Sequence, residues 1–238
     1  DLNGCTLQGQ TTINEPPGMT LSIDTFRVSC HGGNDGYAVL NIQGGTGGLY
    51  DINWGGLNPI ALEAGNHIVT VTDSNNCSIT DTAFITEPNE ILINQIINNV
   101  SCFGNEDGNI VLQISGGIQP YSQNWFGINP NLLSPGIYSY TVQDYNNCLK
   151  NEDFIIDEPD SIKTSAIINH VNCFGESDGS VDLDISGGVP PYNIDFGTFD
   201  QYSLPAGTFN FTISDLNGCE YDSIVSVSYT HLRAHETI

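Results

Sequence analysis

Basic side chains are nearly missing from this chain: 4 Lys plus Arg stand against 28 Asp plus Glu, a formal net charge of −24 over 238 residues. That balance argues against nucleic acid as a partner, because phosphate contacts are made mainly by Lys and Arg. It argues equally against docking on anionic lipid. No apolar run approaches the ~18 residues of a membrane-crossing helix, so no membrane insertion is expected. Helical spacing of apolar residues with capping signals is missing too. So are Gly-x-Ser-x-Gly, His-Glu-x-x-His and any glycine loop leading into a helix N-terminus that could cradle phosphate. His31, His67 and His170 fall at unrelated places, so no catalytic constellation forms, and the chain is expected not to be an enzyme. Charged residues make up only 13% while hydrophobic ones reach 39%, the balance of a folded acidic protein rather than a disordered acidic tail.

What the chain does contain is a period. Cys30 opens a segment closed by Cys77, Cys102 one closed by Cys148, and Cys173 one closed by Cys219. The opening cysteines are 72 and 71 residues apart, and so are the closing ones. A fixed spacing of that kind marks a repeat array. Glu87-Pro88 and Glu158-Pro159 are natural joints, since proline holds its predecessor extended. The expected domains are repeats at 17–88, 89–159 and 160–228, each near the lower size at which a domain buries a useful core alone. Asp1-Leu2-Asn3-Gly4-Cys5 matches Asp215-Leu216-Asn217-Gly218-Cys219, and no basic-then-apolar leader is visible. Residues 1–16 are therefore expected to end a preceding, truncated repeat in an internal fragment of a longer protein. At the other end, residues 229–238 lose the register. Tyr-Thr-His-Leu-Arg-Ala-His-Glu-Thr looks like translated sequencing-adapter read-through, and this stretch is set aside as a non-native tail.

Within each repeat the hydrophobic period is two. Ala38, Leu40, Ile42 follow the first Asp-Gly; Ile110, Leu112, Ile114 and Val181, Leu183, Ile185 follow the others. A Gly-Gly turn comes next. A later strand alternates through His67, Val69, Val71, through Tyr138, Tyr140, Val142, and through Phe209, Phe211, Ile213. It ends at Asp-x-Asn-x-Cys in all three. This is the pattern of strands with one buried face. The expected fold is all-β: tandem immunoglobulin-like β-sandwich repeats of about 71 residues in an extended, monomeric array. The aromatic members of the late strand, with Trp54 and Trp125, are expected in the cores rather than on a ligand platform.

The cysteines and aspartates are the candidate site residues. Two cysteines in fixed register per repeat fit disulfides better than inert buried thiols, and better than zinc, which wants four ligands with close pairs. The expected pairs are Cys30–Cys77, Cys102–Cys148 and Cys173–Cys219, with Cys5 left over. Such a bridge would stabilise a repeat by about 4 kcal/mol and would place the chain in an oxidising compartment. Asp35, Asp107 and Asp178 each precede a glycine, and Asp73, Asp144 and Asp215 each sit four residues before a closing cysteine. Turn chemistry explains them. Calcium is the alternative for the same six carboxylates, though no Asp-x-Asp-x-Asp-Gly run accompanies them. No other cofactor is expected.

The unit resembles a known family. Val100-Ser101-Cys102-Phe103-Gly104-Asn105-Glu106-Asp107-Gly108, then Ile114-Ser115-Gly116-Gly117, Pro120-Tyr121, Pro135-Gly136-Ile137-Tyr138, Thr141-Val142 and Asp144-x-Asn146-x-Cys148, is similar to the SprB repeat of gliding bacteria of the Bacteroidetes group. The first copy departs at Thr46-Gly47-Gly48-Leu49-Tyr50, which lacks the proline, and at His67 in place of Tyr138. The resemblance implies a large, non-catalytic cell-surface adhesin or stalk, exported by type IX secretion, attached at the outer membrane and associated with gliding motility. An extracellular surface or polysaccharide is the implied partner. Asp81-Thr82-Ala83, Asp160-Ser161-Ile162 and Asp222-Ser223-Ile224 look like the O-glycosylation sites of those bacteria. The competing readings are a carbohydrate- or calcium-binding sandwich module and a set of spacer repeats in a larger secreted enzyme.

Overall fold

Alternating side chains give strands, and strands are all that the described residues form beyond turns. The structure is a computed structural model that describes residues 8–46 and 48–230. Repeat 1 contributes β1 (Thr20–Phe26), β2 (Tyr37–Gln43), β3 (Asp51–Asn53), β4 (Gly65–Thr72) and β5 (Ser78–Ile85). Repeat 2 contributes β6 (Leu92–Asn98), β7 (Asn109–Ser115), β8 (Ser122–Asn124), β9 (Gly136–Gln143) and β10 (Leu149–Ile156). Repeat 3 contributes β11 (Lys163–Asn169), β12 (Ser180–Ser186), β13 (Asn193–Asp195), β14 (Gly207–Ser214) and β15 (Glu220–Val227). In each repeat the first two strands form one small sheet and the other three a second, with the fourth strand central. The expected all-β, sandwich-type fold is the one observed, on five strands per repeat.

In repeat 1, Leu21 of β1 faces Ile42 of β2, and Val69 of β4 faces Asp81 of β5, in antiparallel registers. β1 also packs against β5, which brings the two sheets face to face. Val28, Leu62, Val69, Val71 and Ile85 are completely enclosed between them. Val171, Val181, Leu204, Ile213 and Val227 fill the corresponding space in repeat 3. Each such side chain contributes about 1.5–3 kcal/mol by leaving water. In repeat 2 the enclosed residue at the position of Val69 and Phe211 is Tyr140. Its hydroxyl donates to Glu152 Oε2 (3.1 Å) and accepts from Gln95 Nε2 (2.9 Å). Burial, first of all, pushes that phenol up to about 12. Trp125 lies against Tyr140 and Phe154, and Trp54 is buried in repeat 1, so both tryptophans serve the cores.

The described residues fall into two compact units. The first holds the chain up to Leu92 together with Ile114–Ser122 and Val142–Lys150; the second holds Ile93–Gln113, Gln123–Thr141 and Asn151 onward. The Gly-Gly turn and the closing turn of repeat 2 thus belong with repeat 1.

Two glycines per repeat have physical reasons the sequence does not show. Gly36, read above as part of an Asp-Gly turn, exchanges backbone hydrogen bonds with Leu62, and a Cβ there would stand 2.6 Å from Ile85 Cγ2. Close approach, rather than turn conformation, selects it. Gly187 does adopt the left-handed conformation, at φ +75°, and a Cβ there would lie 2.1 Å from the Ser161 carbonyl oxygen. Gly197 has a similar φ of +67° but open space around it. Gly197→Ala should therefore cost only the left-handed penalty of about 1–2 kcal/mol, while Gly187→Ala should cost at least ~2 kcal/mol more. Urea unfolding of the two variants decides the point, and equal losses would mean the close contact is not a constraint.

Candidate functional site: the junction between repeats

The closing turn of each repeat is organised by one aspartate. Asp144 is buried; its Oδ1 accepts from the backbone N–H of Asn146 (2.8 Å) and Cys148 (2.9 Å), and its Oδ2 from Ile118 N–H (2.9 Å). Asp215 repeats the set with Asn217, Cys219 and Val189. Asp73 does so with Asn75, Cys77 and Thr46, adding the Thr46 hydroxyl. Each carboxylate therefore ties the turn that carries the closing cysteine to the loop after the Gly-Gly pair. Burial works to raise the Asp73 carboxyl, but hydrogen bonds from Cys77, Thr46 and Asn75 outweigh it and hold the group below the usual range. Asn76 and Asn147 take left-handed conformations at the tip, where repeat 3 places Gly218.

The opening loop is organised by the other aspartate. Asp107 accepts from the Ser101 N–H (2.9 Å) and the Ser101 hydroxyl (2.5 Å). Asp35 accepts from the N–H and hydroxyl of Ser29, and Asp178 from the backbone and side-chain nitrogens of Asn172. The side-chain donor is the main cause that lowers all three carboxyls. A second acid closes the same loop. Glu87 Oε2 accepts from Gly32 N–H (2.7 Å) and meets His31 Nδ1 (3.2 Å); Glu158 Oε2 accepts from Gly104 N–H (2.9 Å). Sequence reasoning read these Glu-Pro pairs only as joints. Tyr229 occupies the glutamate position of repeat 3 and stacks on Phe174, while Thr230 N–H donates to the Val171 carbonyl.

These two elements meet between neighbouring repeats, and this overturns the expected cysteine pairing. Cys30 bonds to Cys148 and Cys102 to Cys219, with Cα–Cα distances of 5.6 Å in both. The opening cysteine of one repeat pairs with the closing cysteine of the next, not with that of its own repeat. Cys30–Cys77, Cys102–Cys148 and Cys173–Cys219 do not form. Spacing could not have decided this, because the repeat period simply adds to the separation and leaves the register unchanged. Contacts beside the sulfurs fix the choice: Asn146 Nδ2 donates to the Ser29 carbonyl and Asn217 Nδ2 to the Ser101 carbonyl, each at 2.8 Å. The asparagine two residues before each closing cysteine was the sequence signal for a cross-repeat contact. Cys77 and Cys173 are free and exposed. Cys5 lies outside the described residues.

A groove runs beside each bridge. One, of about 330 Å³, is bordered by Cys30, His31, Glu90, Gly117, Cys148 and Lys150; the other, of about 480 Å³, by Cys102, Phe103, Ser161, Gly188, Cys219 and Tyr221. Lys150 Nζ pairs with Glu90 Oε1 at 2.9 Å and lowers that carboxyl, chiefly through the hydrogen bond. As to calcium, the six aspartates already accept backbone or side-chain donors, and they lie in two different loops. Among the described residues no three His, Cys, Asp or Glu side chains gather as a cation would require.

Comparison with known proteins matches the family model described as SprB repeat to residues 94–127 and 165–195. No curated protein matches the chain.

Two outcomes test this site. Non-reducing peptide mapping should recover Cys30 linked to Cys148 and Cys102 linked to Cys219; a Cys30–Cys77 peptide would restore the within-repeat pairing. Cys148→Ser should remove up to about 5 kcal/mol, the chain-entropy value for so long a loop, while Cys77→Ser should stay within ~0.5 kcal/mol. The second outcome concerns acid. Carboxyls held below 3.8 in the folded state add stability that is complete above that value and is lost as pH falls through the lower folded one. Asp107→Asn should lower the melting temperature at neutral pH and flatten its fall below about pH 4. An unchanged acid limb would show that the Ser101 contacts do not stabilise the fold.

Proposed function

We propose, from the two segments that match the SprB repeat, that the chain is a non-catalytic part of a cell-surface adhesin or stalk, exported by type IX secretion, attached at the outer membrane and moved in gliding. The family match is the observation that carries this reading, and it supports a cell-surface, adhesin-like repeat protein of the Bacteroidetes type. The cross-repeat bridges support it from chemistry, because structural disulfides persist in oxidising surroundings outside the cytoplasm. The net charge of −24 suits such a place as well: it keeps neighbouring chains apart and the surface hydrated. Repeats joined through stabilised junctions serve reach, since each added unit brings its own fold and one more interface. An extracellular surface or a polysaccharide is the partner this reading implies.

Antibody raised against the purified chain should label intact, unpermeabilised cells of the source bacterium, and protease applied outside should abolish the label. Label that appears only after lysis would sink the surface reading.

A further inference from the structure

The two grooves stand on one frame, so their linings compare position by position. Beside Cys30–Cys148, His31 follows the opening cysteine, Glu90 stands two residues past the proline joint, and Lys150 two past the closing cysteine. Those charges are already paired: Lys150 with Glu90 at 2.9 Å, and His31 with Glu87 at 3.2 Å. Beside Cys102–Cys219 the same positions hold Phe103, Ser161 and Tyr221, and among the described residues no cation borders the groove. It carries two carboxylates instead, Asp160 where the first groove has Asn89, and Glu220 where it has Leu149. Among the described residues neither carboxylate pairs with a cation or accepts a hydrogen bond. The Phe103 ring is 58% exposed and meets no other aromatic ring among them. Asn105 donates its amide to the Ser101 hydroxyl at 3.0 Å, which leaves its side-chain oxygen free. The groove's volume of about 480 Å³ falls within the roughly 300–1,000 Å³ of ordinary ligand clefts.

We propose that the groove beside Cys102–Cys219 binds a glycan bearing free amino groups, with ammonium groups on Asp160 and Glu220 and a pyranose face on Phe103. Charge complementarity selects that class. An ammonium beside unpaired carboxylates forms charge-assisted hydrogen bonds and meets no cation of the protein there. Uronate or sulfate groups would be repelled by the same carboxylates and by the net charge of −24. Phe103 and Tyr221 supply flat apolar surface for the C–H face of a pyranose, and an aromatic face also attracts a cation. Ser161 and Asn105 offer a hydroxyl and an amide oxygen to the sugar hydroxyls. A basic peptide fits less well. An extended peptide is held through unpaired main-chain groups, and those along this groove are committed. Gly188 N–H donates to the Asp160 carbonyl at 2.7 Å, and Cys219 N–H to Asp215 Oδ1 at 2.9 Å. In the groove beside Cys30–Cys148, Lys150 already takes the place of the ligand's ammonium. Amino-sugar binding deepens the proposed surface role and rests on it, because an extracellular polysaccharide is the partner that role implies.

The test is calorimetric titration of the full, oxidised chain with a glucosamine oligomer at about pH 5.5, where its amines are protonated and ordinary carboxylates are ionised. An N-acetylated oligomer of the same length and a lysine oligomer of the same charge are the comparison probes. The glucosamine oligomer should bind at one site, and acetylation should weaken binding about tenfold or more. Phe103→Ala, Glu220→Gln and Asp160→Asn should each weaken it severalfold. These side chains are exposed, and mapping of Cys102–Cys219 verifies the fold of each variant. Glu90→Gln, beside the other bridge, should change nothing. Undiminished binding by Phe103→Ala would mean cations gathering on an acidic surface and would overturn the site. Equal binding of the acetylated oligomer would overturn the role of the carboxylates. A lysine oligomer bound as tightly would assign a basic peptide instead, and no binding at all would end the proposal. Surface labelling of cells without glucosamine binding removes this inference alone. Binding by a chain that labels only after lysis removes the surface role and leaves the groove a glycan site.

Discussion

The aspartate of the closing turn is the constraint from which the junction follows. A buried carboxyl group is costly unless it is hydrogen-bonded, and Asp144 satisfies that requirement with three backbone N–H groups from two separate loops. One of those donors is the cysteine's own amide. The turn cannot rotate without breaking it, so the sulfur and Asn146 side chain are aimed before any partner is present. Asp215 and Asp73 do the same in their repeats. The stringency falls on backbone geometry, which is why the position requires a short acid while its neighbours vary.

The bridges then change what the chain can do mechanically. Each repeat has a small core, with eight enclosed or nearly enclosed apolar residues in repeat 1. A cross-link confined to one repeat would stabilise that repeat alone. A cross-link from opening loop to the next closing turn places a sequence separation of 118 residues between bonded cysteines, and the second overlaps it with a separation of 117. Because the two loops interleave, three chain segments run in parallel between the bridges, and the shortest, from Cys102 to Cys148, limits how far the bridges can be drawn apart. Local unfolding of one repeat therefore cannot lengthen the chain by that repeat's full contour.

Alternation made the fold legible: Ala38, Leu40, Ile42 and their counterparts alternate with outward residues, and β2, β7 and β12 lie where the pattern stands. The strands before each opening cysteine, β1, β6 and β11, are weaker in the sequence because they lie on the sheet with one partner and keep many exposed positions. Cysteine pairing was hidden for a different reason. A repeat fixes which positions are equivalent, and equivalence cannot say whether a residue meets its own copy or the next. Glu87 and Glu158 were obscured by the prolines after them, which drew attention to chain direction and away from the carboxylate reaching back to Gly32 and Gly104. The Gln95–Tyr140–Glu152 set exists only in repeat 2, where the buried hydroxyl needs both partners; Val69 and Phe211 need none.

Junction frame and junction lining obey different rules, and this separates stability from recognition. The frame consists of backbone amides, three acids, an asparagine, a carbonyl and the disulfide, and it is the same at both bridged sites. The lining is not. His31, Glu90 and Lys150 border one groove, where Phe103, Ser161 and Tyr221 border the other. Apart from His31, which meets Glu87 Oε2 at the opening loop, these residues are not among the donors that hold the closing turn on its aspartate. A substitution there alters charge and aromatic character at the groove while the bridge and its supporting aspartates stay in place, so the chemistry of each junction surface can vary without loss of the fold.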